Sequence, residues 1–85
     1  MKVAPGVERK QVAALVGRRA GRTGEGRRLR VSLGFSLREA AAVIGTDAAS
    51  LSRWERGLVR PRATLGARYG DVLTSWMELI EVMGE

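Results

Sequence analysis

Apolar residues recur three or four positions apart along most of the chain, which is the spacing of one helix face. No segment alternates apolar and polar residues as a half-buried strand does. We therefore predict an all-α protein with about five short helices in one bundle, preceded by an N-terminal basic arm or an extra helix. The predicted helical segments are Val7–Arg19, Glu25–Leu33, Leu37–Ile44, Ala48–Arg56, Ala63–Leu73 and a last one from Thr74 or Ser75 to Met83.

A glycine-rich stretch separates the first segment from the others. Residues 21–26 contain three glycines, which is typical of a linker or a helix break. We therefore predict a partly helical basic arm over residues 1–23 and a helical domain over residues 24–85. That domain is expected to end in a helix over residues 74–83.

Capping residues mark the ends of two short central helices. Ser36 and Glu39 have the spacing of a capping box, in which each side chain bonds the backbone amide of the other residue. Gly45 is expected to end that helix, and Asp47 or the threonine before it to cap the next one. Gly57 is expected to end the second helix.

One face of each helix is apolar and is expected to form the core. The inward side chains are predicted to be Leu37, Ala40, Ala41, Ile44, Leu51, Trp54, Leu65, Tyr69, Val72 and Leu73. The last helix is rich in large apolar residues, namely Trp76, Met77, Ile80 and Met83. These four residues either complete the core or form a contact surface between two copies of the chain.

The charge is strongly basic and unevenly distributed. The 85 residues include 15 Lys and Arg against 9 Asp and Glu, a net charge of +6, and the pI is about 11.3. Residues 71–85 carry four acidic residues and no basic one. A domain this basic is typical of nucleic-acid binding. All but two of the basic residues are arginine, which forms two-point contacts with phosphate and guanine.

Other function classes find little support in the composition. The chain has neither His nor Cys, and its glycine-rich stretch lacks the Gly-Lys-Ser/Thr ending of a phosphate-binding loop. We therefore predict no enzyme activity, no cofactor and no metal. No apolar run reaches the length of about 18 to 20 residues that crosses a membrane, so we expect a cytoplasmic protein without a membrane partner.

Two short helices joined at a glycine, with the second one capped and polar on one face, are typical of a helix-turn-helix. The run from Ser36 to Gly57 resembles the phage repressor/Cro (Xre-type) family of DNA-binding domains. The resemblance covers about residues 25–73. It rests on Arg30, Gly34, Glu39, Ala41, Ile44, Gly45, Ser50, Leu51, Trp54, Glu55, Gly57, Pro61, Leu65, Tyr69 and Leu73. It implies a lambda-repressor-like fold and an ion pair between Arg30 and Glu55.

The resemblance also implies which residues face DNA. The second helix of the motif enters the major groove by its N-terminal part. The base-reading positions would then be Asp47, Ala48, Ala49, Ser52 and Arg53. Arg53 is the strongest candidate, since a guanidinium donates to both guanine acceptors. Asp47 is more plausible as a helix cap than as a base contact.

Phosphate contacts are expected at both edges of the motif. The residues that the resemblance implies are Ser36, Leu37, Arg38, Ser50, Arg56, Arg60 and Arg62. In the arm, Arg18, Arg19 and Arg22 either extend along DNA or are carried onto the domain by the apolar face of Val12, Leu15 and Val16.

The expected partner is double-stranded DNA, bound by a homodimer at a pseudo-palindromic operator. We predict a Cro- or repressor-like regulator of transcription, encoded by a bacteriophage or a prophage. One alternative is an antitoxin that represses its own operon and binds a toxin through its last helix. Another is a module that bridges proteins without specific DNA contact.

Overall fold

The computed structural model describes residues 12–13, 15–16 and 23–84 and contains no strand among them, so the all-α prediction is confirmed. Four helices are complete. They are α1 (Glu25–Ser32), α2 (Leu37–Ile44), α3 (Ala48–Glu55) and α4 (Ala63–Met83). Within the described ranges, no helix is long and apolar enough to cross a membrane.

Glycines in the left-handed conformation end α1 and α3. At Gly34, with φ 80°, the amides of Gly34 and Phe35 donate to the carbonyls of Val31 and Arg30 at 3.0 and 3.1 Å. This pair of reversed bonds is a Schellman motif, which satisfies carbonyls that the helix end leaves open. The same pattern recurs at Gly57, whose φ is 71°. The predicted end of α3 at Gly57 is confirmed.

The core lies where the four helices meet. Two alanines of α2, Ala40 and Ala41, are almost fully buried, and such small side chains let α3 approach α2 closely. The ring of Trp54 lies 5.4 Å from that of Tyr69, and Phe35 stacks on Trp76 at 5.2 Å. The buried core residues are Leu29, Ala40, Ala41, Ile44, Leu51, Trp54, Tyr69, Leu73 and Trp76.

A buried ion pair links α1 to α3. Nε and Nη2 of Arg30 donate to the two carboxylate oxygens of Glu55 at 2.6 and 3.0 Å. Nη1 of Arg30 donates to the carbonyl of Phe35 at 2.9 Å, and the hydrogen bond from Glu55 raises the pKa of Arg30. Such a pair fixes the relative orientation of two helices more than it adds stability. The expected ion pair is confirmed.

The predicted break at Thr74 is wrong, because α4 is one helix of 21 residues. Thr74 and Ser75 cap nothing. Their hydroxyls donate to the carbonyls of Gly70 and Asp71, four residues earlier, at 2.9 and 3.1 Å. Inside a helix, a hydroxyl can use the preceding turn in this way instead of starting a new one.

The C-terminal half of α4 is split between core and solvent. Trp76 is buried and Ile80 packs against the core, whereas Met77, Leu79, Val82 and Met83 are exposed. Trp76 and Ile80 therefore complete the core, whereas a contact surface between two copies stays a prediction for the exposed residues.

Part of the N-terminal segment folds onto α4. Val12, Ala13, Leu15 and Val16 are helical, Ala13 is buried, and Val16 packs against the core. Gly70 makes this contact possible, since a Cβ there would lie 1.7 Å from the carbonyl oxygen of Ala13. The predicted arm contacts Arg18, Arg19 and Arg22 lie outside the described residues.

Candidate nucleic-acid interface

The N-terminus of α2 is held by the predicted capping box. The amide of Glu39 donates to Oγ of Ser36 at 3.0 Å, and the amide of Ser36 donates to Oε1 of Glu39 at 2.9 Å. The bond from the Ser36 amide, and secondly the Ser36 hydroxyl, lower the pKa of the Glu39 carboxyl. Ser36 and Arg38 are exposed, and Leu37 is half-buried against the core. The start of α2 is thus a fixed and accessible edge.

The turn between α2 and α3 is tight. Gly45 has φ 94°, and the amides of Gly45 and Thr46 both donate to the carbonyl of Ala41, at 2.8 and 2.9 Å. A Cβ at Gly45 would lie 2.8 Å from Nη1 of Arg68 in α4. The turn therefore needs glycine for its backbone conformation, whereas the Arg68 guanidinium lies at the end of a flexible, exposed side chain that can move aside.

Asp47 caps α3 with both carboxylate oxygens. Oδ1 accepts from the amide of Ser50 at 2.8 Å, and Oδ2 accepts from the hydroxyl of Ser50 at 2.9 Å. The bond from the amide, then the bond from the hydroxyl, and to a smaller extent the charge of Arg53 lower the pKa of Asp47. The predicted cap is confirmed.

The outer face of α3 is accessible from end to end. Leu51, Trp54 and Glu55 are buried, so the opposite side of the helix carries two adjacent rows at helical spacing. One row holds Ala48, Ser52 and Arg56, and the other holds Ala49 and Arg53. Ala49, Arg53 and Arg56 are exposed, while Ala48 and Ser52 are half-buried.

Arg53 projects from the last turn of α3. Within the part of the chain that the structure describes, no hydrogen bond or salt bridge holds its guanidinium. Arg56, by contrast, donates from Nε to the carbonyl of Ser52 at 3.4 Å. The five predicted base-reading residues are thus all on α3 or its cap, and Arg53 has the longest unengaged side chain.

The loop from α3 to α4 adds exposed cations next to that face. Arg60 and Arg62 are exposed, and between them Pro61 is buried against Gly66, with Pro61 Cγ 3.6 Å from where a Cβ of Gly66 would lie. The loop is therefore anchored although its arginines reach into solvent. Arg62 is also the N-cap residue of α4.

Sequence reasoning missed the roles of three residues. Arg68 covers the turn, and nothing in its sequence position marks it. Gly70 receives the N-terminal segment, and a glycine inside a helix is a usable signal of close packing. Leu58 is 64% exposed directly after Gly57, where an apolar residue usually packs back on the helix.

A helix-turn-helix family model matches residues 27–72, more than half of the chain. The chain belongs to this family, the Xre-type helix-turn-helix proteins, and membership indicates a DNA-binding regulator. No curated protein and no solved structure matches the chain.

Proposed function

We propose that the protein is a Cro- or repressor-like regulator of transcription that binds a pseudo-palindromic operator in double-stranded DNA. One observation carries the proposal. The outer face of α3 is accessible, its N-terminus is firmly capped, and exposed arginines lie within it and directly after it. DNA supplies the negative charge that such a surface attracts in a protein of net charge +6.

Arg53 is the main base-reading residue in this proposal. Its guanidinium has no competing bond in the described structure, so it can donate to both acceptors of one guanine. Ala48 and Ala49 offer methyl groups to thymine or allow the helix close approach, and Ser52 offers a hydroxyl. The carboxylate of Asp47 is already bonded twice by Ser50, which favours its role as a cap over a contact with cytosine.

Phosphate contacts flank this face. At one edge they come from Ser36, Leu37 and Arg38 at the start of α2, where amides point out of the helix. At the other edge they come from Arg56, Arg60 and Arg62. Ser50 is the weakest member of the set, because its hydroxyl proton and its amide both serve Asp47. Arg18, Arg19 and Arg22 extend the contact if the arm follows the DNA.

A second copy is expected to meet the first through the end of α4. Met77, Leu79, Val82 and Met83 are exposed there, and two-fold operators are read by two-fold dimers. The same end carries Glu78 and Glu81 and repels phosphate, so it faces away from the DNA. The alternative of an antitoxin uses the same exposed side chains to bind a toxin.

The deciding experiment is selection of bound sequences from a random duplex pool at physiological salt. Enrichment of an inverted repeat, with half-site centres about one helical turn apart, supports the proposal. Salt-sensitive binding without enrichment would contradict it and would favour the alternative of a module that bridges proteins without specific DNA contact.

Two arginine variants separate base reading from phosphate contact on the selected operator. We expect Arg53→Ala to relax the preference at one base position at a cost of about 1–3 kcal/mol, because a two-point contact with guanine is lost. Arg60→Ala should instead weaken binding to all sequences alike and reduce the salt slope by about one. Titrations against operator and scrambled DNA at several salt concentrations measure both effects. Equal, sequence-independent losses for the two variants would refute the role of Arg53.

A further inference from the structure

Two apolar side chains are exposed in the loop after α3. Leu58 is 64% exposed and Val59 is 49% exposed, and neither belongs to the core cluster or packs against it. In a Schellman motif, the residue after the glycine usually contacts the last turn of the helix. Leu58 would there meet Ser52 and Arg53, which are both polar. The fold therefore leaves the apolar surface of Leu58 without a partner among the described residues.

The position of Leu58 relative to α3 is nevertheless fixed. Its amide donates to the carbonyl of Arg53 at 3.0 Å, and the amide of Gly57 donates to the carbonyl of Trp54 at 3.0 Å. At the other end of the loop, Pro61 is buried. Leu58 is thus held beside the C-terminal turn of the helix that carries Arg53.

The surrounding charge selects the partner. Exposed arginines precede and follow the apolar pair, namely Arg53, Arg56, Arg60 and Arg62. A second copy placed on this surface would bring like charges together, which costs energy. DNA brings phosphates, and the major-groove edge of its bases carries one apolar group, the methyl of thymine.

We propose that Leu58 packs against a thymine methyl group next to the base that Arg53 reads, so that the loop contributes to sequence preference. This inference rests on the proposed function, because it requires α3 in the major groove. The contact releases no counterion, in contrast to those of the neighbouring arginines. Its loss therefore lowers affinity without changing the salt slope.

The test uses the selected operator, with each thymine replaced in turn by deoxyuridine, which lacks only the methyl group. Replacement of one thymine, at a position other than those that Ala48 and Ala49 would contact, should lower the affinity of the wild-type protein about fourfold. This is the effect of one buried methyl group. Leu58→Ala should bind the thymine operator about five- to tenfold more weakly, with the same salt slope, and should no longer distinguish the two bases at that position.

Val31→Ala is the matched control, because Val31 on α1 is 56% exposed and lies outside this loop. It should retain the affinity and the thymine preference of the wild type. A Leu58→Ala protein that keeps the thymine preference overturns the inference. The inference also fails if the free Leu58→Ala protein sediments differently from the wild type, because the loss of affinity then comes from altered association of the protein. Failure of the proposed function is seen separately: in that case the wild-type protein enriches no sequence in the selection experiment.

Discussion

At the scale of single residues, Asp47 places a carboxylate inside the surface that we assign to DNA. Its two bonds from Ser50 hold the pKa below the ordinary value of 3.8, so the group is charged at neutral pH. The charge suits the N-terminus of α3, where the helix dipole is positive. The same charge repels a nearby phosphate. We therefore expect the residue to stabilise the fold at the expense of DNA affinity.

Asp47→Asn separates these two effects, since asparagine caps helices about as well but carries no charge. We expect tighter binding to every DNA sequence, with base preferences unchanged. A lowered pKa in the folded state stabilises the wild type above pH 3.8, and this stabilisation is lost as the pH falls through the folded-state pKa. Any stability advantage of the wild type over the variant should thus shrink on acidification through that range.

Unfolding free energies between neutral and acidic pH, together with DNA titrations at pH 7, measure both expectations. An advantage of the wild type that grows on acidification would contradict the linkage argument. A variant with altered base preference would instead make Asp47 a base-reading residue.

Tyr69 combines a well-packed aromatic ring with a polar hydroxyl in an apolar environment. Its ring contacts Trp54, while its hydroxyl is buried with no hydrogen-bond partner among the described residues. Burial, and secondly the charge of Glu55, raise its pKa. We expect Tyr69→Phe to keep the unfolding free energy or to raise it by about 1 kcal/mol, because an unpaired hydroxyl costs energy on burial.

Chemical denaturation measures this change, and Tyr69→Ala, which should lose about 3–5 kcal/mol, serves as a control for the contribution of the ring. A loss of more than 1 kcal/mol in Tyr69→Phe would mean that the hydroxyl has a partner in solution.

At the scale of helices, α4 carries two buried glycines one turn apart, Gly66 and Gly70. A Cβ atom fits at the first position and not at the second. A Cβ at Gly66 meets only ordinary contacts with Pro61, at 3.6 Å, whereas a Cβ at Gly70 collides with the backbone of Ala13. Gly66→Ala should stabilise the protein by about 0.5–1 kcal/mol, because alanine favours the helix. Gly70→Ala gains the same propensity but must displace the N-terminal segment.

We expect Gly70→Ala to increase hydrogen exchange at residues 12–16 while α1 to α3 keep their protection. Hydrogen exchange resolved by residue measures this, with Gly66→Ala as the matched control. Unchanged protection of residues 12–16 in Gly70→Ala would show that the segment has another anchor.

The central helices were predictable because their signals are local. A Ser-x-x-Glu pattern, a cap at Asp47 and stop glycines act within a few residues, so α2 and α3 follow from the sequence. The continuity of α4 was not predictable, because Thr74 is equally suited to cap a helix or to bond backward within one. The contacts of Gly70 with Ala13 and of Arg68 with the turn at Gly45 depend on segments distant in sequence, which no local pattern encodes.

At the scale of the whole molecule, charge and apolar surface are separated along α4. The helix begins beside the exposed Arg60 and Arg62 and ends among exposed Leu79, Val82 and Met83 with acidic neighbours. In the proposed function, this separation would let one copy bind DNA at one end of α4 and another protein at the other end. The acidic charges of two copies oppose each other, so pairing should be weak in solution and stronger on DNA.

Replacement of Leu79 and Val82 by serine should abolish cooperative binding to the two half-sites and leave binding to an isolated half-site unchanged, since the DNA face is intact. Val31→Ser, at an exposed site elsewhere, is the control. Gel-shift titrations with full and half operators measure both. Undiminished cooperativity in the double variant would place the contact between copies elsewhere.

Because α4 is unbroken over 21 residues, it is a rod about 30 Å long whose two ends cannot move independently. In a paired complex, the distance from one reading helix to the other is then set by the length of this rod and not by an adjustable hinge. The paired protein would therefore bind only operators whose half-sites have the matching spacing. Half-sites moved apart by half a turn of DNA would lie on opposite faces of the duplex, and two copies could meet only by bending or twisting the DNA between them.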